Sequence, residues 1–303
     1  MYPWKAWLPA PIYWIFRAVR TVLVALCFAG FWSGCVVVGW LWFPIAALWP
    51  GSPVEKMHRL HRVVRRGFGV FHLAMHALRL YHRTSPFKLV RPTDSPVVLV
   101  ANHPTLCDAT SIISLFPRVV ALARSSFANN PLLGRLVRRC GFIPAGTHVL
   151  QECQDRLRMG FDVLVFPEGT RSPLDGPMHP FHRGAFELAA RARVPLVLLK
   201  LTCVPSALSK GLPIWKYTDR MAVLTIERID TIYPAQGPAA GHADSRLSSK
   251  AMCRAIEQRY RDLLGYHPPA AAAESGDSAA PSVVSPGVSP GAASEPQPLG
   301  DLL

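Results

Sequence analysis

Acidic residues are scarce in this sequence: 19 Asp and Glu stand against 33 Lys and Arg among 303 residues, for a formal charge of +14. From residue 1 to residue 93, Glu55 is alone against twelve Lys or Arg, so most of that excess lies at one end. Residues 21–54 carry no formal charge, a run of 34. A secretory leader has an apolar region of only ~7–15 residues followed by small residues, whereas 36–50 stays bulky and aromatic. The seven cysteines are scattered, with no C-x-x-C pair and no Cys/His cluster at zinc spacing. This leaves no basis for a disulfide framework or a structural metal, and reads as free thiols in a reducing compartment. No G-x-S-x-G elbow surrounds Ser125 or Ser126, which argues against a serine hydrolase of the α/β-hydrolase kind. No internal repeat and no nucleic-acid motif is present. The cations sit beside the apolar run, where each is worth about 1 kcal/mol against an anionic membrane face, so the expected partner is a membrane surface and not nucleic acid.

What is there begins with that run. A helix needs ~20 apolar residues to cross the hydrocarbon core, and 34 exceed this. Gly30, Gly34, Gly39 and Pro44 interrupt the stretch, and Trp32, Trp40, Trp42 and Trp49 are candidate interfacial anchors. Basic residues flank both ends, so the expectation for 1–55 is a membrane-embedded helical hairpin returning to the cytoplasmic face, favoured over a single tilted span. Residues 56–85 read as a basic amphipathic helix lying in the headgroup layer or packed on the next domain. His72 and His76 have helical i, i+4 spacing but no acidic or thiol partner nearby, so no metal is expected. From 86 to 267 the texture is that of an α/β domain with a mixed, largely parallel sheet flanked by helices. Apolar runs at 97–101, 119–123, 142–144, 163–166, 196–202 and 222–227 read as strands. Helical patterns at 109–116, 132–139, 148–159, 183–193 and 248–264 lie between them. Residues 268–303 are Pro/Ala/Ser/Gly-rich and nearly uncharged, the composition of a disordered tail.

Chemistry concentrates just past two of these strands. Asn102-His103-Pro104-Thr105-Leu106-Cys107-Asp108 follows the strand at 97–101, and ligands of open α/β sheets bind beyond the carboxyl ends of strands. Asp108, at the start of the next helix, can hold one imidazole nitrogen of His103 and leave the other free as a general base. This is the orienting half of a catalytic triad without a protein nucleophile, so the attacking group would be the acceptor's own hydroxyl. Cys107 is a poor nucleophile, because the neighbouring carboxylate opposes a thiolate. After the strand at 162–166 comes Phe166-Pro167-Glu168-Gly169-Thr170-Arg171-Ser172. Gly169 permits close backbone approach, Thr170 and Ser172 offer hydroxyls, and Arg171 presents a planar cation suited to phosphate. Glu168 is expected to bond an acceptor hydroxyl or to hold Arg171.

Together the two motifs, about 60 residues apart, followed by Phe181-His182-Arg183-Gly184-Ala185 and Val194-Pro195-Leu196-Val197, resemble the glycerolipid acyltransferase family, which includes the 1-acylglycerol-3-phosphate and glycerol-3-phosphate acyltransferases. The resemblance covers about 86–225. It implies a glycerol-3-phosphate acyltransferase-like fold and catalysis by His103 and Asp108. Asn102, Glu168, Gly169, Thr170, Arg171 and Ser172 would bind substrate. It also implies an acyl-CoA or acyl carrier protein co-substrate, a membrane lipid acceptor, no metal or other cofactor, and a membrane-dipping two-helix N-terminus. The catalytic domain would lie on the cytoplasmic side of the inner membrane, and the reaction would acylate a lysophospholipid such as 1-acyl-sn-glycerol-3-phosphate. Two departures qualify this. Ala145 stands where a family arginine would hold the acceptor phosphate, a loss of something like 1.5–3 kcal/mol unless Arg124, Arg171 or Lys200 substitutes. Leu198 or Leu199 replaces the usual second proline of the fourth motif. A non-phosphate acceptor, such as a lyso-ornithine-type lipid, and a non-catalytic membrane scaffold remain as alternatives.

Overall fold

A computed structural model describes residues 9–88, 91–92, 94–174, 176–213, 217–233 and 242–266. The expected disordered tail at 268–303 lies outside them.

The uncharged run forms helix α1 (Ala10–Val37), a π-turn (Val38–Trp42) and α2 (Phe43–Ala47). Among the described residues the chain does not turn back between 9 and 47; it turns at 48–52, beyond the uncharged helix. Pro11–Ala46 is one helical rod of 36 residues, long and apolar enough to cross a bilayer. The interruptions read from the sequence are absorbed. Gly30 and Gly34 lie within regular helix, and the ladder widens over the turn before Pro44, whose nitrogen has no proton to give. At Gly39 the rod touches the rest of the molecule: a Cβ there would stand 3.5 Å from that of Leu136, and the Trp40 indole donates to the Leu132 carbonyl at 3.1 Å. Trp14, Ile15, Leu26 and Leu41 point outward and are exposed.

The hairpin forms one element later. Helix α3 (Pro53–Ala77) starts at a capping box, with the Glu55 N–H bonded to the Ser52 hydroxyl and the Ser52 N–H to the Glu55 carboxylate. Its buried face, Leu60, Val64, Phe68, Phe71 and Met75, packs against α1 and against the domain helix α4 (Asp108–Leu115). Arg62 and Arg66 stay exposed on its outer side. The helix stops earlier than the sequence pattern indicates. Arg79 takes a left-handed conformation (φ 53°) and the Leu80 N–H closes back on the Met75 carbonyl. Residues 81–84, expected within the helix, instead form strand β1 (Tyr81–Thr84).

Seven strands make one sheet in the order β1-β7-β6-β2-β5-β3-β4: β2 (Val98–Ala101), β3 (Val119–Ala123), β4 (Ile143–Pro144), β5 (Asp162–Val165), β6 (Leu196–Val204) and β7 (Ala222–Ile232) with β1. Among the described residues only β6 and β7 pair antiparallel, so the sheet is mixed and largely parallel. Side-chain alternation divides the core. Leu99, Ala101, Ala121, Leu164, Val197 and Leu199 face α1, α3 and α4. Val98, Val100, Val120, Val163, Val165 and Leu198 face the helices α7 (Val149–Arg158), α8 (Gly184–Ala192) and α9 (His242–Leu264). Short helices α5 (Ser125–Ala128) and α6 (Gly134–Arg139) follow β3. The register that matters for the site is central. β2 and β5 are parallel neighbours, Val100 opposite Val165, and β3 lies on the far side of β5. The loops leaving their carboxyl ends therefore emerge side by side, carrying His103, Phe166–Ser172 and Arg124.

Candidate active site

The Asn102 side chain bonds both the N–H (2.8 Å) and the carbonyl (2.9 Å) of Leu201, extending the β2–β6 ladder one step beyond its last paired residues. This pins the backbone where His103 begins. The His103 N–H reaches Glu168 at 3.1 Å and the Ser172 hydroxyl at 3.3 Å, and the Ser172 N–H donates to the His103 carbonyl at 2.8 Å. The two motif loops are thus stitched together through the backbone of His103. Its ring lies flat on Phe166, centroids 4.0 Å apart.

Asp108 is the first residue of α4 and is fully buried. Its carboxylate accepts from His103 Nδ1 at 2.8 Å, from the Thr105 N–H at 2.7 Å and from the Thr105 hydroxyl. Three donors converge on one carboxylate, which compensates its desolvation. A carboxylate can only accept, so Nδ1 carries the proton and Nε2 presents a lone pair. The expected His-Asp pair is therefore assembled, with its imidazole side chain 19% exposed.

Of the six residues expected to touch substrate, the structure separates two kinds. Gly169, Thr170 and Arg171 lie at the openings around His103. Asn102, Glu168 and Ser172 do not: all three are buried, their polar atoms spent inside the fold. Glu168 neither holds Arg171 nor faces an acceptor. It accepts from the Ser172 hydroxyl (2.6 Å), the His103 N–H and the His179 N–H (3.3 Å), because the turn at Gly169 (φ 65°) directs the preceding side chain into a ring of inward N–H groups. Burial raises its pKa despite these donors. Arg171 instead donates to the Leu208 carbonyl at 2.9 Å, which leaves the rest of its guanidinium toward the cavity.

Two residues not singled out as site members belong to it. Thr105 supplies two of Asp108's three bonds; the Thr-x-x-Asp spacing just before a helix is its sequence signal. Arg124, named only as a possible substitute, follows the end of β3 and borders both openings next to His103. Ala145, at the position of the missing arginine, sits directly beside it, its N–H bonded to the Ala123 carbonyl at 2.8 Å. Lys200 is excluded as the substitute, since it faces Glu227 at 3.6 Å. Cys107 is buried, and desolvation with Asp108 pushes its thiol far up, so it remains a thiol.

The openings differ. One cavity of about 320 Å³ extends from His103, Arg124 and Arg171 into a wall of Phe28, Phe31, Phe71 and Phe142, and has no carboxylate among its lining residues. It shares Phe31, Cys35, Phe68, Phe71 and Leu136 with a second apolar space of about 580 Å³ between α1 and α3. The other opening, about 120 Å³, lies by Gly169, Thr170 and His182.

A family model described as Acyltransferase matches residues 83–208. Several 1-acyl-sn-glycerol-3-phosphate acyltransferases are similar to this chain: one from Chlamydomonas reinhardtii (36% identical, over 40% of this chain and 38% of that protein), a chloroplastic one from Brassica napus (32%; 36% and 33%) and the alpha form from Mus musculus (27%; 57% and 62%). The chain thus spans about one third to three fifths of their lengths. The crystal structure of the 1-acyl-sn-glycerophosphate acyltransferase PlsC from Thermotoga maritima shares the fold, with a TM-score of 0.61 at 17% identity, over 81% of this chain and 98% of that one.

Proposed function

With residues 83–208 matching a family model described as Acyltransferase, we propose that this chain is a membrane-bound O-acyltransferase that moves a fatty acyl group from an acyl thioester to the hydroxyl of a lysophospholipid, 1-acyl-sn-glycerol-3-phosphate. The observation that carries the proposal is one cavity that joins a poised imidazole, two guanidiniums and an aromatic wall reaching the α1–α3 pair. Each part has a use. His103 Nε2 takes the acceptor's proton while its oxygen attacks the thioester carbonyl. The tetrahedral intermediate collapses as the C–S bond breaks, and His103 returns the proton to the departing sulfur, leaving an ester and a free thiol.

The N–H groups of residues 105–107 are already engaged. Thr105, Leu106 and Cys107 give theirs to Asp108, the Leu208 carbonyl and the Thr105 hydroxyl. The Gly169 N–H is likewise given to the Phe166 carbonyl at 3.0 Å, so we assign oxyanion stabilisation to the Thr170–Arg171 side. Such a donor is typically worth ~3–4 kcal/mol. Arg124 and Arg171 hold the acceptor's phosphate, replacing the cation lost at 145, and the apolar cavity takes the acyl chain. The α1 rod lies in the bilayer, with the basic outer face of α3 against its cytoplasmic surface. At ~1.5 Å per residue the rod is about 54 Å long against a ~30 Å hydrocarbon core; the domain holds it near both ends, Arg20 on the Thr218 and Arg220 carbonyls at 2.9 Å and Trp40 on the Leu132 carbonyl, so it is the rod's exposed apolar face that meets lipid.

The test is mass spectrometry of products from purified protein in detergent, offered acyl thioesters and a panel of lysolipids. Acylation of lysophosphatidic acid, weakened about tenfold or more in KM by Arg124→Ala or Arg171→Ala, is expected. Acylation of an uncharged or lyso-ornithine-type acceptor alone, insensitive to both substitutions, would remove the phosphate assignment.

A further inference from the structure

A cavity of about 600 Å³ lies between α7, α8 and α9, on the face of the sheet opposite α1. It meets the opening beside His103, since Leu122, Val165, His182, Gly184 and Ala185 line both. The two form one groove that starts at the surface and ends at the imidazole. Neither the acyl chain nor the acceptor headgroup, as placed above, uses it.

Acyl transfer brings three arms together at one carbonyl: the acyl tail, the acceptor and the thiol carrier. The first two are lipid and belong on the side of α1. The carrier is water-soluble and needs a separate entry. The walls of the groove suit such an arm. Val149, Leu150 and Leu188 form an apolar flank, and Lys250 and Arg254 lie at the rim, one turn apart on α9 and both exposed. The nearby carboxylates are already engaged: Glu187 pairs with Arg191, and Glu257 with Arg261 at 2.7 Å and with the Phe181 N–H at 3.0 Å. Lys250 and Arg254 pair with no carboxylate among the described residues. The rim is therefore a place for an anion.

We propose that this groove takes the phosphopantetheine arm of the acyl donor, with Lys250 and Arg254 holding its phosphate and the thioester delivered to His103 from the face opposite α1. The inference rests on the acyl-transfer reading above. Coenzyme A and acyl carrier protein share this arm, so the chemistry is common to both sources.

The experiment uses the full chain in detergent. It compares Lys250→Glu/Arg254→Glu and Leu150→Trp with wild type and with Arg158→Glu, an exposed charge reversal outside the groove. Three donors with one acyl chain are offered: the coenzyme A thioester, the carrier-protein thioester and the N-acetylcysteamine thioester, which lacks phosphate. Free coenzyme A binding is measured by calorimetry, and melting curves confirm folding. The double reversal should raise KM for the first two donors, and the Kd of coenzyme A, about tenfold or more, an effect that shrinks in high salt. The N-acetylcysteamine thioester and the lysolipid should keep their KM. Leu150→Trp should raise KM for all three donors, and Arg158→Glu should change none. Donor KM and coenzyme A binding unmoved by either variant would overturn the inference, as would a rise in lysolipid KM instead, or a rise confined to the carrier protein. If wild type transfers from none of the thioesters while coenzyme A binding still weakens in the double reversal, the groove stands and the transfer reading fails.

Discussion

At the scale of single residues, the site depends on Asp108 being fully buried and still satisfied. Removing one donor should therefore show in rate before it shows in binding. Thr105→Val deletes the hydroxyl that bonds Asp108 while keeping the backbone bond. We expect kcat to fall about tenfold with KM near wild type, and folding stability to fall by about 1–2 kcal/mol, measured by steady-state kinetics and thermal unfolding of the same preparation. The His103–Asp108 pair was legible from spacing, because a histidine at a strand end and an aspartate opening the next helix leave few geometries. The direction of polar side chains was not. Asn102, Glu168 and Ser172 read as ligand contacts from their chemistry alone, yet the backbone beside them had unsatisfied donors and acceptors and claimed them first. Sequence reveals that a loop is polar, and burial decides what its polarity serves.

At the scale of elements, six strands and five helices lie where their apolar patterns put them, although β7 runs five residues longer and α9 starts six residues earlier, since central parallel strands buried on both faces must be continuously hydrophobic. β1 escaped because Tyr81–Thr84 is short and half polar, and its place is set by pairing with β7 far along the chain. The second arm of the hairpin was misplaced for a related reason. Gly30, Gly34 and Pro44 have the composition of a break, but the two glycines keep regular helix and one π-turn carries the helix past Pro44. The pairing of α1 with α3 then predicts an acyl-chain effect. Phe71 is buried where the two apolar spaces meet. Phe71→Ala should extend the cavity and shift product toward longer acyl chains, read by mass spectrometry with a ladder of acyl thioesters, whereas an unchanged chain-length profile would place the tail elsewhere.

At the scale of the whole molecule, the junction between α3 and the catalytic domain carries a pH dependence. His61 and His72 are buried in it, and desolvation, the largest cause, lowers their pKa values to about 4 and about 3, from an ordinary value of 6.5. His61 lies against Phe142 and Phe161, and His72 bonds the Thr110 hydroxyl at 3.0 Å. The folded state keeps both rings neutral while the unfolded state protonates them near 6.5. Their stability contribution is therefore present above that value and is lost as pH falls through the folded pKa values. On the order of 3 kcal/mol per histidine disappears by about pH 4. Thermal unfolding in detergent from pH 7 to pH 4 should show the melting temperature falling, and falling less in His61→Phe, whose aromatic neighbours tolerate the ring.

The account as a whole requires that one imidazole move the proton of an acceptor hydroxyl. Its most direct test is product formation by purified wild type and His103→Ala with lysophosphatidic acid and an acyl thioester, read by mass spectrometry. Wild type should form the diacyl product, and His103→Ala, folded and membrane-bound to the same degree, should lose about 100-fold or more of that rate. Undiminished turnover in His103→Ala would contradict the account.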